Sequence, residues 1–303
     1  MNLDITPLPG GIGVACSGLD LSKPVPGAVR EQLYQAWIDA GIVVFPGGAT
    51  SPEQQISLSR CFGELDVHPV KNLVTESAYP ELMVLDSREQ VKMTILGRDD
   101  APDERFTGFI PWHSDLIFTT TPNHGAMLRA VVTPERGGQT AWIDTIAAYD
   151  GLDAAVQRDI DDLEVEYRFC KDLTLARYGR DPSIRKIEGS VSFPDFPAVA
   201  QPLVWRHPVS GRKSLNLSPL HLEAVVGLDD QDSAALLQRL VDHITSREYS
   251  YVHHWQPDDL VLWDNWRTLH SALGYPIGDR RVVHRTTISG NVRMGRVLSA
   301  PVN

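Results

Sequence analysis

Apolar side chains in the N-terminal part of the chain follow strand and helix periods in turn. Residues 3–6 and 13–17 are predicted as short strands, and residues 29–40 repeat apolar positions every three to four residues, which predicts a helix with one buried face. Gly41 stands where a left-handed residue commonly ends a helix. Ile42–Phe45 is entirely apolar, so we expect a buried strand there.

Two further helices are predicted from their boundaries and their apolar faces. Ser51 is a favourable N-cap residue with Pro52 in the first helical turn, and Gly63 follows the expected end of that helix. Residues 230–246 carry leucine, valine and isoleucine on one side, which indicates a helix packed on the core.

From Pro111 onward, short apolar runs alternate with glycine, proline and aspartate turns. This pattern predicts a β sandwich or jelly roll. Residues 260–263 and 282–289 are its last predicted strands, with His270 just beyond the first and Arg281 just before the second.

Two longer segments interrupt the predicted strands. Residues 71–111 are expected to form an extended loop, and a mixed insert of about residues 144–201, with a helix near residues 150–163, separates the halves of the jelly roll. No repeat or change of composition divides the chain. We therefore expect one domain over residues 1–303, mainly β with flanking helices and N-terminal α/β elements.

Composition argues against two large classes of partner. The 303 residues carry a net charge of −11 and no basic patch, so nucleic-acid binding is not expected. No apolar run approaches the roughly 20 residues that span a membrane, and the N-terminus lacks the pattern of a secretory signal. Cys16, Cys61 and Cys170 are odd in number and form no CxxC pair, which indicates reduced thiols in a cytoplasmic protein.

The most informative motif is His113-Ser114-Asp115, in which a histidine and an aspartate stand two residues apart. In a strand or its immediate extension, this spacing puts both side chains on one face. His270 is the candidate third member, and two histidines with one carboxylate form a common site for ferrous iron. The other histidines outside the motifs discussed below are predicted to be ordinary packed or surface residues: His124, His207, His243, His253, His254 and His284.

Three more polar residues follow the candidate ligands in a definite order. Thr140 lies downstream of His113, while Arg281 and Arg285 lie downstream of His270, in the apolar run that predicts the last strand. A lone His-x-Asp motif is weak evidence, but the motif with this threonine, the second histidine and the arginines is specific.

With these residues the chain resembles the taurine dioxygenase and 2,4-dichlorophenoxyacetate dioxygenase family of Fe(II)- and 2-oxoglutarate-dependent oxygenases. The resemblance covers nearly the whole chain, through residues 3–7 (LDITP), 12–21 (IGVACSGLDL), 62–70 (FGELDVHPV), 207–213 (HPVSGRK), 255–260 (WQPDDL), 263–265 (WDN) and 280–288. It implies a double-stranded β-helix, the cupin-like form of the jelly roll, with iron at one mouth.

The resemblance implies His113, Asp115 and His270 as the iron ligands. Three protein ligands on one face of the ion leave positions for a chelating 2-oxo acid and for dioxygen, so the expected cofactors are Fe(II), 2-oxoglutarate as cosubstrate and dioxygen. The carboxylate of Asp115 favours hydroxylation, since a small apolar residue there would leave a site for halide. Thr140 and Arg281 are implied to hold the distal carboxylate of 2-oxoglutarate, which suits a hydroxyl donor and a bidentate guanidinium.

Five residues are expected to contact the prime substrate. His68 and Arg285 are implied to face an anionic group on it. Lys71, Phe109 and His221 stand where the taurine enzyme has other residue types, and the segment that leads from His68 to the metal motif is longer. These differences argue against taurine itself as the substrate.

The sequence therefore predicts a dioxygenase that hydroxylates a small carboxylate, sulfonate, sulfate or phosphonate while 2-oxoglutarate is converted to succinate and CO2. The alternatives left open are desaturation, epoxidation or ring formation on the same metal core in a biosynthetic pathway, a non-catalytic jelly-roll binding protein, and a zinc hydrolase. The expected partners are a small anionic organic molecule and further copies of the chain in a homo-oligomer, with no nucleic acid and no membrane.

Overall fold

Two largely antiparallel sheets form the centre of the fold. The computed structural model describes residues 3–67, 78–89, 94–189 and 193–298. In chain order the strands are β1 Asp4–Pro7, β2 Val14–Ser17, β3 Ile42–Phe45, β4 Leu82–Asp86, β5 Ile95–Arg98, β6 Arg105–His113, β7 Gly125–Val132, β8 Thr140–Asp144, β9 Glu164–Tyr167, β10 Ile184–Glu188, β11 Val199–Pro202, β12 Val204–Arg206, β13 Lys213–Leu215, β14 Leu222–Val225, β15 Ser250–His253, β16 Leu260–Asp264, β17 Thr268–Pro276, β18 Val282–Ile288 and β19 Arg296–Val297.

The helices flank these sheets. They are α1 Gly27–Ala40, α2 Pro52–Ser59, α3 Thr145–Asp150, α4 Ala154–Ile160 and α5 Asp230–Ile244, with short 3-10 turns at Leu173–Leu175 and Arg247–Tyr249. Among the described residues, no helix is long and apolar enough to cross a membrane.

The two central sheets face each other across a shared core. The first has the strand order β1-β2-β3-β16-β7-β18-β4, and the second has the order β10-β5-β6-β17-β8-β15. Val44 and Val261 of the first sheet pack with Trp142 of the second in one buried cluster. Two sheets that meet in this way form the double-stranded β-helix, so the predicted mainly β, cupin-like fold is confirmed.

β3 is buried on both faces, which explains its unbroken apolar sequence. Ile42 and Val44 pack between the sheets, whereas Val43 and Phe45 belong to a second cluster with Trp37 of α1. A strand covered on both sides needs apolar residues at every position, not at alternate ones.

The ends of the N-terminal helices follow the predicted signals. α1 ends at Gly41, whose φ is 74° and whose N–H donates to the Trp37 carbonyl at 2.7 Å. A Cβ built on Gly41 would lie 2.8 Å from Arg267 Nε, so both the backbone conformation and the close approach favour glycine. At the start of α2, the Ser51 side chain accepts a hydrogen bond from the Gln54 N–H, as expected of an N-cap.

Two predictions about strand positions are wrong. The described part of residues 71–111 is not an extended loop, because β4 pairs with β18 and β5 pairs with β6. The polar turn at residues 99–104 joins β5 to β6 and conceals the hairpin in the sequence. His270 does not lie beyond a strand but inside β17, since a turn at residues 265–267 leads directly from β16 in the first sheet to β17 in the second.

Residues 144–201 contain both helices and strands. α3 and α4 come first, β9 and β11 then pair in a third sheet with β14 and β19, and β10 extends the second central sheet. Apolar side chains of this segment pack with Leu237 and Leu240 of α5 in the largest buried cluster.

The three cysteines are free, as predicted. Burial raises the pKa of Cys16 to about 11 and also raises the pKa values of Cys61 and Cys170. All three thiols therefore stay protonated at neutral pH and are poor nucleophiles.

Candidate metal and cosubstrate site

Neighbouring strands bring two histidines side by side. His113 ends β6 and His270 lies opposite it on β17, with ring centroids 4.0 Å apart. The ladder between these strands shifts register directly after His270. His113 Nδ1 lies 2.8 Å from the Pro111 carbonyl oxygen, so Nδ1 carries the proton and Nε2 has a free lone pair.

Asp115 follows the end of β6 and completes the cluster. Its Oδ1 lies 3.8 Å from Nε2 of His113 and 3.8 Å from Nε2 of His270. One ligand atom from each side chain lies within 4.8 Å of the others, so the predicted motif and the predicted third ligand converge. Two imidazole nitrogens and one carboxylate oxygen are the donor set of the ferrous triad.

Burial sets the charge state of these three groups. It lowers the pKa of His113 and lowers that of His270 well below its ordinary value, so both imidazoles are neutral at neutral pH. Burial alone would raise the pKa of Asp115, but the Arg285 guanidinium paired with it outweighs burial and holds that pKa well below its usual range. Neutral imidazoles and an ionised carboxylate are the states that bind a metal ion.

Arg285 forms an ion pair with the other carboxylate oxygen of Asp115. Its Nη2 lies 2.6 Å from Oδ2, and its Nη1 lies 3.4 Å from Oδ1. The guanidinium carbon also stands 5.4 Å from the centre of the Trp263 ring. This arginine is predicted to face an anion on the substrate; in the structure its anionic partner is the Asp115 carboxylate.

A cavity of about 140 Å³ opens beside Asp115 and Arg285. The remaining residues that line it are Asp66, Met83, Leu116, Asn123 and Thr287. The sequence did not single out Asp66 or Asn123. Asp66 lies in the family-like stretch 62–70, two residues before His68, and that position is the signal that could have found it.

Arg281 is a buried arginine with no anionic partner among the described residues. It is 6% exposed, and burial lowers the pKa of its guanidinium, whose carbon lies 5.5 Å from the centre of the Tyr275 ring. A Cβ built on Gly138 would lie 3.5 Å from Arg281 Cδ. Thr140, two residues further on, is buried and accepts a hydrogen bond from Trp255 Nε1 at 3.1 Å. A buried guanidinium without an anionic partner among the described residues fits a carboxylate ligand.

His221 lies in an aromatic environment close to the metal cluster. Its Nδ1 accepts the Cys170 N–H at 2.9 Å, so the ring proton is on Nε2. The ring stands 4.9 Å from that of Phe118 and 5.2 Å from that of Phe169. Burial is the main cause that lowers the pKa of His221 to about 3, so the ring is a neutral hydrogen-bond donor.

The other predicted substrate residues are less informative. Phe109 is half-buried in β6 and packs near Phe106, with ring centroids 6.3 Å apart, in a small cluster with Leu96 and Ile184. His68 and Lys71 lie outside the described residues.

Comparison with known proteins gives consistent matches along the chain. Residues 4–287 match the family described as Taurine catabolism dioxygenase TauD, TfdA family. The chain is 30% identical over 289 residues to the (S)-phenoxypropionate/alpha-ketoglutarate-dioxygenase of Sphingobium herbicidovorans, with 95% of each chain covered. It is 28% identical over 294 residues to pentalenolactone F synthase of Streptomyces arenae, with 93% of this chain and 94% of the relative covered.

A solved structure supports the same assignment. AAD-2 in complex with Mn(II) and N-oxalylglycine aligns with a TM-score of 0.74 at 28% identity, covering 97% of this chain and 100% of that chain. The chain belongs to the Taurine catabolism dioxygenase TauD, TfdA family. It is an Fe(II)- and 2-oxoglutarate-dependent dioxygenase, which confirms the predicted enzyme class and cofactors. A non-catalytic binding protein and a zinc hydrolase are therefore set aside.

Proposed function

We propose that His113, Asp115 and His270 hold the ferrous ion. The observation that carries this proposal is the convergence of two neutral imidazoles on one carboxylate, with each Nε2 atom 3.8 Å from Asp115 Oδ1. The hydrogen bond between His113 Nδ1 and the Pro111 carbonyl orients one of the two rings. The ligand atoms therefore stand within 4.8 Å of one another, two on adjacent strands and the third just beyond the end of β6.

Thr140 and Arg281 are proposed to bind the distal carboxylate of 2-oxoglutarate. A guanidinium in a buried site is costly without an anion, and a carboxylate pairs with it through two parallel hydrogen bonds. The lack of an anionic partner for Arg281 among the described residues supports this role. When bound, Fe(II) and 2-oxoglutarate activate dioxygen, of which one atom enters the prime substrate and the other enters succinate as CO2 is released.

The prime substrate is proposed to be a small monoanion. Arg285 lines the cavity beside the metal cluster while it is paired with the metal-ligand candidate Asp115, and Asp66 lines the same cavity. The Asp66 carboxylate would repel a second negative charge on the ligand. This arrangement favours a carboxylate, a sulfonate or a sulfate ester over a dianionic phosphonate, and the carboxylate named for the Sphingobium relative agrees with it.

His221 is proposed to contact the substrate as a neutral donor. Its Nε2 carries the ring proton because Nδ1 accepts a backbone N–H, and its pKa of about 3 keeps the ring uncharged. A donor of this kind suits an ether, ester or hydroxyl oxygen, whereas the ammonium group of taurine would meet a like donor. His68, Lys71 and Phe109 keep their predicted substrate roles on the strength of the sequence alone.

Hydroxylation is the proposed outcome of turnover. Desaturation, epoxidation or ring formation is a second candidate, because pentalenolactone F synthase is 28% identical over nearly the whole chain. We further propose that the enzyme acts in the cytoplasm, where its three free cysteines stay reduced, and as a homo-oligomer.

The proposal is tested by supplying the purified protein with Fe(II), 2-oxoglutarate and a panel of carboxylates, sulfonates, sulfate esters and phosphonates. Substrate-dependent succinate is measured, and the products are identified by mass spectrometry. We expect monoanions to stimulate succinate release and to gain one oxygen atom, with no release by Asp115→Ala. Stimulation by neutral analogues but by no anion would overturn the proposed substrate class.

A further inference from the structure

We propose that Asn265 is a positioning residue that fixes the main chain of Asp115 for metal binding, an inference that rests on the proposed role of Asp115 as an iron ligand. Asn265 Oδ1 accepts the Asp115 N–H at 2.8 Å, and Asn265 Nδ2 donates to the Asp115 carbonyl at 3.0 Å. A single side-chain amide therefore binds both backbone polar groups of one residue.

The main chain at Asp115 needs this support. Asp115 lies just beyond the end of β6, outside the hydrogen-bonded ladder that holds His113. Leu116 has a φ of 54°, in the left-handed region that side chains of its kind rarely adopt. The Leu116 carbonyl accepts hydrogen bonds from Thr119, and Asn265 holds the turn from the other side.

Asn265 is itself held in place by several contacts. Its N–H donates to the His124 carbonyl at 2.8 Å, and its Nδ2 also lies 3.1 Å from the Asn123 carbonyl oxygen. Ser114 Oγ donates to the Asn265 carbonyl at 3.0 Å and lies 3.2 Å from its Oδ1. The side chain is 3% exposed, so water cannot replace these partners easily.

A second buried cluster, of His124, His207 and Asp264, anchors the turn that carries Asn265. These residues also offer ligand atoms within 4.8 Å of one another. His207 Nδ1 accepts two backbone N–H groups, from Val209 at 3.3 Å and Ser210 at 3.1 Å, so its Nε2 proton is donated to Asp264 Oδ2 at 2.9 Å. With both ring nitrogens engaged, His207 supports the residue next to Asn265 and has no lone pair for a metal ion.

The contacts of Asn265 hold Asp115 in position for metal binding. With the main chain of Asp115 fixed, only its side-chain torsions remain free, and Oδ1 already faces both imidazoles while Oδ2 faces Arg285. Without Asn265, the backbone N–H and carbonyl of Asp115 would lose these bonds and the turn at Leu116 could relax. The loss should then fall on metal affinity, as it does when groups that orient a ligand are removed.

The test is Co(II) binding, followed by visible absorption, beside thermal unfolding by circular dichroism. We expect Asn265→Ala to weaken Co(II) binding by roughly 10–100-fold. Asn216→Ala is the matched control, because Asn216 Nδ2 also bonds a backbone carbonyl, that of Pro202 at 2.9 Å, but does not contact the metal cluster. We expect its Co(II) affinity to stay at the wild-type value even where its unfolding temperature falls.

Ser114→Ala removes a bond to Asn265 with little change of volume, and it replaces Asn265→Ala if that variant does not fold. A several-fold weaker Co(II) affinity in Ser114→Ala is then the expected result. Wild-type affinity in both variants, or an equal loss in Asn216→Ala, would overturn the positioning role of Asn265. Failure of the wild-type protein to bind Co(II), or undiminished binding by Asp115→Ala, would instead overturn the proposed metal site.

Discussion

Arg285 and Asp115 form a close ion pair at the edge of the metal cluster, with Nη2 2.6 Å from Oδ2. One oxygen of this carboxylate faces the two histidines, and the other faces the guanidinium. The pair keeps Asp115 ionised, and it also places a cation at the cavity where the prime substrate is proposed to bind. The same contact thus joins the metal site to the substrate site.

Arg285→Ala should reduce turnover of anionic substrates far more than turnover of neutral analogues. Truncating one member of a buried charge pair costs about 2–5 kcal/mol, and the 18% exposure of the Arg285 side chain points to the lower end. We therefore expect kcat/KM for the anion to fall by roughly 30-fold. The measurement is kcat/KM for matched anionic and neutral analogues.

Arg280→Ala is the control for that experiment. Arg280 lies next to Arg281 but is half-exposed, and it pairs with Asp86 at 2.9 Å. A surface pair of this kind contributes little, so both analogues should keep their wild-type kcat/KM. An Arg285→Ala enzyme that retains its preference for the anion would rule out Arg285 as the anion-binding residue.

Arg281→Ala should raise the 2-oxoglutarate requirement strongly while leaving affinity for the prime substrate nearly unchanged. Loss of a buried guanidinium partner should cost on the order of 2–5 kcal/mol of cosubstrate binding. Thr140→Ala should cost roughly 1 kcal/mol, as for one neutral hydrogen bond. Calorimetric titration of 2-oxoglutarate checks both values, and an unchanged dissociation constant in Arg281→Ala would refute its assignment.

The stability of the protein should fall as pH drops below neutrality, partly through His221. Its pKa is lowered from 6.5 to about 3 in the folded protein. Between these two values the unfolded chain binds a proton that the folded protein does not, so the free energy of unfolding decreases as pH falls through that window. One such group changes the free energy of unfolding by up to about 1.4 kcal/mol per pH unit.

His221→Asn tests this contribution. Asparagine tolerates the left-handed φ of 79° at this position, and its Oδ1 is able to accept the Cys170 N–H. We expect similar stability at pH 7 and a shallower decline down to pH 5, measured by urea unfolding at each pH. Parallel pH profiles for the two proteins would show that His221 does not carry the effect.

Gly41→Ala should destabilise the fold by about 1–3 kcal/mol. An alanine there would sit in the left-handed region, and its Cβ would lie 2.8 Å from Arg267 Nε. Gly27→Ala is the matched control, since Gly27 begins α1 and a Cβ there meets nothing within 4 Å. Chemical denaturation compares the two, and equal stability of both variants would contradict this account of the α1 terminus.

Sequence periodicity is sufficient to predict the elements that bury one face or every residue. The bounds predicted for β3 match the structure, and those for α1 and α5 differ by two residues at one end, because one apolar face or a fully apolar run determines each element. β5 and the N-terminal part of β6 were missed because a polar turn separates them, and β17 was missed because its sequence mixes polar and apolar residues around His270.

The candidate site divides in a similar way. His113, Asp115 and His270 were found because their chemistry and order are distinctive. Asp66 and Asn265 lie in family-like stretches but were given no role, because a carboxylate or an amide outside the strands and helices shows no periodicity and its partners lie far away in the sequence. Asn265 contacts a residue 150 positions distant, which only the folded chain reveals.

The most direct test of the central claim is an anaerobic titration of the protein with Fe(II) and 2-oxoglutarate, followed by visible absorption. The wild-type protein should develop a new absorption band only when both are present. His113→Ala, Asp115→Ala and His270→Ala should each develop none, since two protein ligands leave the triad incomplete, while circular dichroism shows that they remain folded. A band of wild-type intensity and affinity in any of the three variants would contradict the account of this site.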